Sequence, residues 1–115
     1  MRTLNDYFIS GRVTDISTAG STYVAVPDGG KIIKIVTILQ GAITGGNAAI
    51  TFEIDGTAVT NAGITVAHSG SAVGTMDSSV PTALNDVAED GKIEIITDGN
   101  SSGAKSLDVT FTIRR

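Results

Sequence analysis

The sequence predicts an all-β protein, a single-domain antiparallel β-sandwich of the jelly-roll type with about eight or nine strands. Short β-branched stretches recur at roughly ten-residue spacing, glycine-rich turns separate them, and no helical periodicity persists over several turns. A chain of 115 residues is expected to form one domain. We expect residues 1–6 to form a flexible N-terminal arm and residues 7–115 to form the sandwich.

The clearest strand is Lys31–Gln40, which is rich in β-branched residues and lies between Pro27-Asp28-Gly29-Gly30 and Gly41. A short apolar run between turn residues is typical of a strand that is buried on both faces or lies at the centre of a sheet. At the other end of the sequence, Asp108–Arg115 alternates apolar with polar residues. That alternation predicts a half-buried strand.

Turn residues divide the rest of the chain into further short strands. Gly11 predicts a bulge or a close backbone approach, and Asp55-Gly56 matches the two residues of a type I′ hairpin turn. Residues Ser69–Ser79 are expected to form a loop, and a short helix at Thr82–Val87 is an alternative to a strand there. The further predicted strands are Tyr7–Ile16, Thr22–Val26, Ala48–Asp55, Thr57–Thr60, Ile64–Ala67, Ala83–Val87 and Lys92–Thr97.

The composition favours a small aliphatic core. The chain has no Trp, three Phe and two Tyr, so Ile, Val, Leu and Ala must supply most of the buried apolar area. Fourteen glycines raise the entropic cost of folding. Self-association is expected to stabilise a domain of this kind, because assembly buries further surface without lengthening the chain.

Charge and cysteine content argue against several classes of function. The net charge is −4 and no basic patch with interleaved aromatic residues is present, so no nucleic-acid partner is expected. The absence of cysteine excludes disulfides and thiolate chemistry, and it fits synthesis in a reducing cytoplasm. No apolar run approaches the length of a membrane span, and the first residues lack the apolar core of an ordinary signal peptide. Neither a membrane partner nor export by that route is therefore expected.

No residue pattern predicts catalysis. His68 is the single histidine, and at a strand end it is expected to be a surface or hydrogen-bonded residue, because nothing in the sequence supplies a base with a group to orient it. Glu53 and Asp55 share one strand face, where exposure to solvent is a simpler interpretation than a glycosidase pair. We therefore predict no enzyme activity, no catalytic residue and no cofactor.

The acidic residues and the glycine clusters do not predict a ligand site either. The glycine clusters Gly41–Gly46 and Gly70–Gly74 contain neither a dinucleotide-binding nor a P-loop motif. One group of acidic residues lies close together in sequence but lacks the spacing of an EF-hand loop, so no metal is expected. That group comprises Asp77, Asp86, Glu89 and Asp90.

Two arginines, Arg114 and Arg115, end the printed sequence. Charged side chains on an edge strand protect it against pairing with other chains. We expect the two arginines to play that role, a salt bridge to a partner subunit being the alternative.

Six segments of the chain share the strand and turn patterns of a known family. They are Thr3–Phe8 (TLNDYF), Val24–Ile35 (VAVPDGGKIIKI), Gly41–Ala67, Ser69–Val87, Gly91–Gly99 (GKIEIITDG) and Val109–Arg115 (VTFTIRR). Through them nearly the whole chain resembles the small head decoration, or capsid cement, proteins of tailed bacteriophages. The resemblance includes no catalytic motif.

The resemblance implies a structural role on the virion. It implies a homotrimer that binds the outer face of the expanded capsid and bridges neighbouring subunits of the major capsid protein, after synthesis in the host cytoplasm. A trimer binds through several modest contacts at once, and the high effective concentration of the later contacts raises the apparent affinity by ~10²–10⁴. The residues expected to contact the capsid are Arg2, Thr3, Leu4, Asn5, Asp6, Tyr7 and Phe8.

The alternative function is a carbohydrate- or receptor-binding β-sandwich, such as a fibre tip or an adhesin module. Sugar sites favour aromatic platforms, and with no Trp and only Tyr7 and Tyr23 the chain is poorly equipped for one.

Two kinds of substitution test the strand assignments. Replacing Ile35 or Phe52 by Ala is expected to cost ~2–5 kcal/mol if both belong to the core. Changes at Ser101 or Ser102, in a loop expected to be exposed, are predicted to cost almost nothing.

Overall fold

The computed structural model describes residues 5–115, which form ten β-strands and no helix. All pairings between these strands are antiparallel. The strands are β1 (Asp6–Val13), β2 (Gly20–Val26), β3 (Gly30–Leu39), β4 (Ala48–Ile54), β5 (Thr57–Ala58), β6 (Ile64–Val66), β7 (Met76–Ser79), β8 (Asp86–Val87), β9 (Gly91–Thr97) and β10 (Leu107–Arg114).

The strands form two sheets of five. The first sheet has the order β1-β10-β3-β7, with β8 also paired to β3. The second has the order β2-β9-β4-β5, with β6 also paired to β4. This arrangement confirms the predicted all-β sandwich.

The core lies between the sheets and is built by alternation along each strand. In β10 every second residue is buried, and the residues between them are half-buried. Phe111 of β10 meets Phe52 of β4 edge to face, with ring centroids 5.7 Å apart, so one aromatic contact joins the two sheets. Ile35 and Phe52 are both buried, as the sequence indicates.

Strand β3 lies at the centre of the first sheet, between β10 on one side and β7 and β8 on the other. The prediction of a central strand is therefore confirmed. Its inward residues are fully buried, whereas Val36 and Ile38 on the other face are only half-buried. The sequence left two interpretations of this run, burial on both faces or a position at the centre of a sheet. The structure shows the second.

Two local predictions from glycine are confirmed. A Cβ added at Gly11 would lie 2.4 Å from Cγ2 of Val24, so β1 and β2 approach each other closely there. Asp55 and Gly56 have φ values of 51° and 80° and connect β4 to β5 as a two-residue turn, as type I′ geometry requires.

Strand β7 was not among the predicted strands, because it lies within the segment Ser69–Ser79 that was expected to be a loop. Its sequence Met-Asp-Ser-Ser has little intrinsic preference for strand. It is extended because it pairs with β3, Met76 lying opposite Ile38 and Ser79 opposite Ile35. Tertiary pairing decides its structure.

The alternative helix at Thr82–Val87 is wrong, because the segment contains an isolated β-bridge and strand β8 instead. Ala83 forms an isolated bridge with Thr60, and Asp86 pairs with Lys31.

Ser101 is also placed differently from the prediction. It is only 5% exposed, and its hydroxyl lies 3.5 Å from the carbonyl oxygen of Ile16. Ser102 is exposed, as predicted. The loop folds back onto the segment that follows β1, so its two serines are not equivalent.

Candidate functional site

Of the residues expected to contact a capsid, the described ones, Asn5, Asp6, Tyr7 and Phe8, lie at one edge of the first sheet. Arg2, Thr3 and Leu4 lie outside the described residues. Asn5 is an exposed turn residue, and the next three residues open β1, the outermost strand of that sheet. Asp6 was expected in the arm, but it belongs to β1, opposite Arg114.

Asp6 is held in a paired and buried state. Its carboxylate accepts two hydrogen bonds from the Arg114 guanidinium, 2.8 Å from Nε and 3.0 Å from Nη2. The Asp6 side chain is 1% exposed, whereas that of Arg114 is 38% exposed. This hydrogen bonding raises the pKa of Arg114. The two ends of the described chain are thus joined by a two-point ion pair.

Tyr7 makes a second set of contacts at this edge. Its hydroxyl donates a hydrogen bond to the carbonyl oxygen of Gly29, 2.9 Å away. The Arg115 guanidinium lies 5.5 Å from the centre of its ring and forms an ion pair with Asp28. Burial raises the pKa of Tyr7, with a smaller contribution from the negative charge of Asp28.

The arginines that end the printed sequence therefore work differently from the prediction. They were expected to protect an edge strand, but β10 lies inside the sheet between β1 and β3. Arg114 and Arg115 pair within the chain, with Asp6 and Asp28 respectively. The sequence contains the acidic partners of the arginines, Asp6 next to Tyr7 and Asp28 next to Pro27. Only the fold brings them to Arg114 and Arg115.

Phe8 is the most exposed aromatic residue of β1, at 49%. It lies on the outer face of the first sheet, opposite Thr112. On the same face, Arg12 binds Asp108 with Nε to Oδ1 at 2.6 Å. Gln40 donates to the other oxygen of Asp108 at 2.9 Å. This edge combines an exposed ring with a polar, hydrogen-bonded surround.

The opposite edge of the first sheet was not identified from the sequence. Three large apolar residues there are exposed: Met76 is 62% exposed, Val80 61% and Leu84 61%. Met76 lies opposite the half-buried Ile38 on the outer face of the sheet. A spacing of four residues in a non-helical segment carries no recognised sequence signal, so only the strand register brings these residues to one edge.

The remaining predicted candidates lie apart. His68 is exposed, and its Nδ1 lies 2.8 Å from Oδ1 of Asn47, which confirms a hydrogen-bonded surface residue. Asp77 pairs in register with Thr37, and Asp86 with Lys31. Six residues of β3 correspond to ~20 Å, so these two carboxylates do not share a site.

Glu53 lies directly opposite Glu94 on the outer face of the second sheet. Asp55 is an exposed residue of the β4–β5 turn. The carboxylates of Glu53 and Glu94 therefore repel each other, because like charges directly opposite on adjacent strands are destabilising.

Within residues 5–115, no three His, Cys, Asp or Glu side chains are grouped to hold a metal ion. No helix long and apolar enough to cross a membrane occurs in the same part of the chain. The described surface therefore offers groups for contact with other molecules: exposed apolar side chains at two sheet edges, with ion pairs beside both of them.

Comparison with known proteins gives similarity of fold. No family model and no curated protein matches the sequence. A chain in the acidic stable capsid structure of Helicobacter pylori bacteriophage KHP30 is similar, with a TM-score of 0.64 and 13% identity. The match covers 96% of this chain and 87% of that one.

A second similar structure is dimeric latent PorU from Porphyromonas gingivalis, with a TM-score of 0.50 and 11% identity. Here the match covers 96% of this chain but 13% of the other. At such identities both matches show a shared sandwich fold.

Proposed function

We propose that the protein is a structural component of a phage head, a decoration protein that binds the outer face of the expanded capsid and bridges neighbouring subunits of the major capsid protein. The observation that carries the proposal is the presence of exposed apolar side chains at opposite edges of one sheet. Phe8 lies at the β1 edge and Met76 at the β7 edge. Bridging requires two separate contact surfaces, and a rigid sheet holds these two a fixed distance apart.

Two further observations support the proposal. The sequence resembles head decoration proteins over nearly its whole length, and its fold is shared with a chain of a phage capsid structure. Exposed apolar residues on a small soluble domain mark interaction surfaces when they cluster.

The N-terminal residues supply the first contact in this proposal. Asn5 and Phe8 are exposed, while Asp6 and Tyr7 are held against the sheet by Arg114 and Arg115. The capsid therefore meets the exposed residues, and the two anchored residues fix their position. Arg2, Thr3 and Leu4 remain part of the predicted contact and precede the described segment.

Trimeric assembly is part of the proposal because it multiplies individually modest contacts. Light scattering on a sizing column measures the mass in solution. A trimer is expected, and a monomer would restrict assembly to the capsid surface.

The direct test is co-sedimentation with expanded shells assembled from the major capsid protein encoded in the same genome. The wild-type chain is expected to sediment with the shells. Phe8→Ser is expected to weaken binding about tenfold, because an exposed aromatic anchor contributes strongly to an interface. Tyr23→Ser is the matched control, since Tyr23 is a comparably exposed aromatic residue on the second sheet, at 58%. Failure of the wild-type chain to sediment with shells would contradict the proposal.

Carbohydrate binding is the second candidate, and Tyr23 is the observation in its favour. Its ring is exposed beside Glu94, which is hydrogen bonded to Ser21 at 2.6 Å. A glycan-binding screen distinguishes the two functions. Glycan binding that Tyr23→Ser abolishes, without binding to shells, would favour the carbohydrate-binding module.

A further inference from the structure

The chain contains four Asp-Gly dipeptides, Asp28-Gly29, Asp55-Gly56, Asp90-Gly91 and Asp98-Gly99. In such a pair the backbone nitrogen of the glycine can attack the carboxyl carbon of the aspartate and form a succinimide ring, because glycine has no Cβ to obstruct the approach. The reaction needs an unengaged carboxyl group, an accessible nitrogen and a backbone that can rotate. The surroundings of the four dipeptides differ in all three respects.

Contacts restrain two of the dipeptides at the start of β3 and of β9. Asp28 forms an ion pair with Arg115, and Gly29 is buried where a Cβ would lie 2.8 Å from Glu89 N. In Asp90-Gly91 the nitrogen that would attack is already engaged, because it donates to Ala88 O at 2.9 Å. Neither dipeptide meets all the requirements.

Asp98-Gly99 is restrained at the carboxyl group. Oδ1 of Asp98 accepts hydrogen bonds from Ala49 N and from Asn100 N, each at 3.1 Å. The backbone at Gly99 is also crowded, since a Cβ there would lie 2.6 Å from Ala19 N. Rotation toward a ring would break both hydrogen bonds.

Asp55-Gly56 has none of these restraints. Both residues are exposed, and a Cβ added at Gly56 would meet no atom within 4 Å. Among residues 5–115, no hydrogen bond engages the Asp55 carboxylate or the Gly56 nitrogen. The carboxyl group and the nitrogen are therefore both available.

The backbone around Asp55 can also open without unfolding the core. β5 has two residues, Thr57 and Ala58, both exposed and paired only with the end of β4. Short exposed pairings open at the lowest cost in a folded protein. Beyond them Val59 is buried, and its nitrogen donates to Phe52 O at 3.0 Å. Opening is therefore confined to the turn and β5.

We propose that Asp55 is a modification site, at which the β4–β5 turn rearranges to isoaspartate. Gly56 N forms a bond to Cγ of the protonated Asp55 carboxyl group, and the carboxyl hydroxyl leaves with the amide proton as water. Water then opens the ring. Cleavage between Cγ and the nitrogen restores aspartate, whereas cleavage between the main-chain carbonyl carbon and the nitrogen gives isoaspartate. One water leaves and one enters, so no other reactant is required.

The rearrangement changes the hairpin. Isoaspartate carries the main chain through Cβ and Cγ, which lengthens a turn that has room for two central residues of positive φ. The longer turn cannot keep Ile54 opposite Thr57, while Val59 stays bound to Phe52. The modification is a property of the folded chain and does not depend on a role in a phage head.

The test is incubation of the purified protein for several weeks at physiological temperature. Electron-transfer mass spectrometry of its peptides then distinguishes isoaspartate from aspartate at each position. Isoaspartate is expected to be about tenfold more abundant at residue 55 than at residue 28, 90 or 98, because breaking a hydrogen bond first slows the reaction by up to about tenfold. In guanidinium, where the chain is unfolded, the four yields are expected to converge.

A matched pair of variants tests the access of the nitrogen. Gly56→Asn places a Cβ beside the attacking nitrogen, and Asn tolerates the positive φ of 80° there. It is expected to lower isoaspartate at residue 55 several-fold. Gly70→Asn is the control, because Gly70 has a similar φ of 75° and equally open surroundings but does not follow an aspartate. Its yield at residue 55 is expected to match the wild type.

Three results would overturn the proposal. The first is a yield at residue 55 that does not exceed the yields at the other three positions in the folded protein. The second is a preference for residue 55 that persists in guanidinium, which would assign it to local sequence. The third is an unchanged yield in a folded Gly56→Asn variant. The comparison of the four positions uses the wild-type chain alone and stands even where that variant does not fold.

Discussion

The two edges of the first sheet are stabilised in different ways. At the β1 edge an eight-residue strand is held by side-chain charges, Asp6 with Arg114 and Arg12 with Asp108. At the β7–β8 edge the strands have four and two residues. There the backbone is held by Asn85 and by the Ser79 hydroxyl, which donates to Ala62 O at 2.7 Å.

The difference shows how each edge avoids indiscriminate pairing with other chains. Long flat edge strands invite pairing, and charged side chains or interruptions discourage it. The β1 edge carries two arginine–aspartate ion pairs along an uninterrupted strand, whereas the β7–β8 edge is interrupted between Ser79 and Asp86 by a segment that contains Pro81 and Leu84. Interruption leaves side chains rather than backbone available for contact. The β7–β8 edge is therefore suited to side-chain recognition.

Among the substitutions that compare the two edges, removing the buried amide of the β7–β8 edge should give the largest effect. Asn85→Ala deletes the donor to Ile32 O and leaves that edge without its side-chain anchor. We expect a loss of ~1–3 kcal/mol in the free energy of unfolding, measured by denaturant titration. Hydrogen exchange should accelerate at β8 more than at β1. Equal acceleration at the two edges would contradict their independent stabilisation.

Removing a charge from the β1 edge should give an intermediate effect. Asp6→Asn replaces a carboxylate that is 1% exposed, and we expect a cost of ~1–2 kcal/mol. Asp108→Asn is the matched control, because Asp108 also pairs with an arginine on this edge but is 30% exposed. Its cost should be ~0–1 kcal/mol and should shrink in high salt. A larger cost at Asp108 than at Asp6 would show that burial does not set the strength of these pairs.

A substitution in β3, at a residue paired with β7, should stabilise the protein. Thr37 is fully buried opposite Asp77, and its hydroxyl has no hydrogen-bond partner in the structure, which describes residues 5–115. Thr37→Val keeps the shape and removes the unsatisfied group, so we expect a gain of ~1 kcal/mol. Thermal unfolding measures it. A decrease in stability would mean that the hydroxyl is satisfied in solution.

The smallest effect concerns alkaline pH at the β1 edge. The pKa of Tyr7 is raised by burial and then by Asp28, so the unfolded chain releases the phenolic proton more readily than the folded one. This contribution to stability is complete below about pH 10 and is lost as pH rises through the folded-state pKa. Ultraviolet difference absorbance monitors the ionisation. Tyr7→Phe should weaken the alkaline decline, and an unchanged decline would assign it to other groups.

The sequence by itself determined the class of fold and most of its strands. Alternation in Asp108–Arg115 and the β-branched run Lys31–Gln40 predicted β10 and β3 within one or two residues. Asp55-Gly56 predicted its hairpin. These features predict the structure correctly because the spacing of apolar side chains and the residue preferences of turns are local properties of the sequence.

Only the tertiary structure decided the partners and the edges. Met76–Ser79 is a strand because β3 lies beside it, and Arg114 is an internal ion-pair residue because β1 folds against β10. The exposed line of Met76, Val80 and Leu84 exists through strand register. Contacts between residues far apart in the chain set all of these features, and local preference is too weak to specify them.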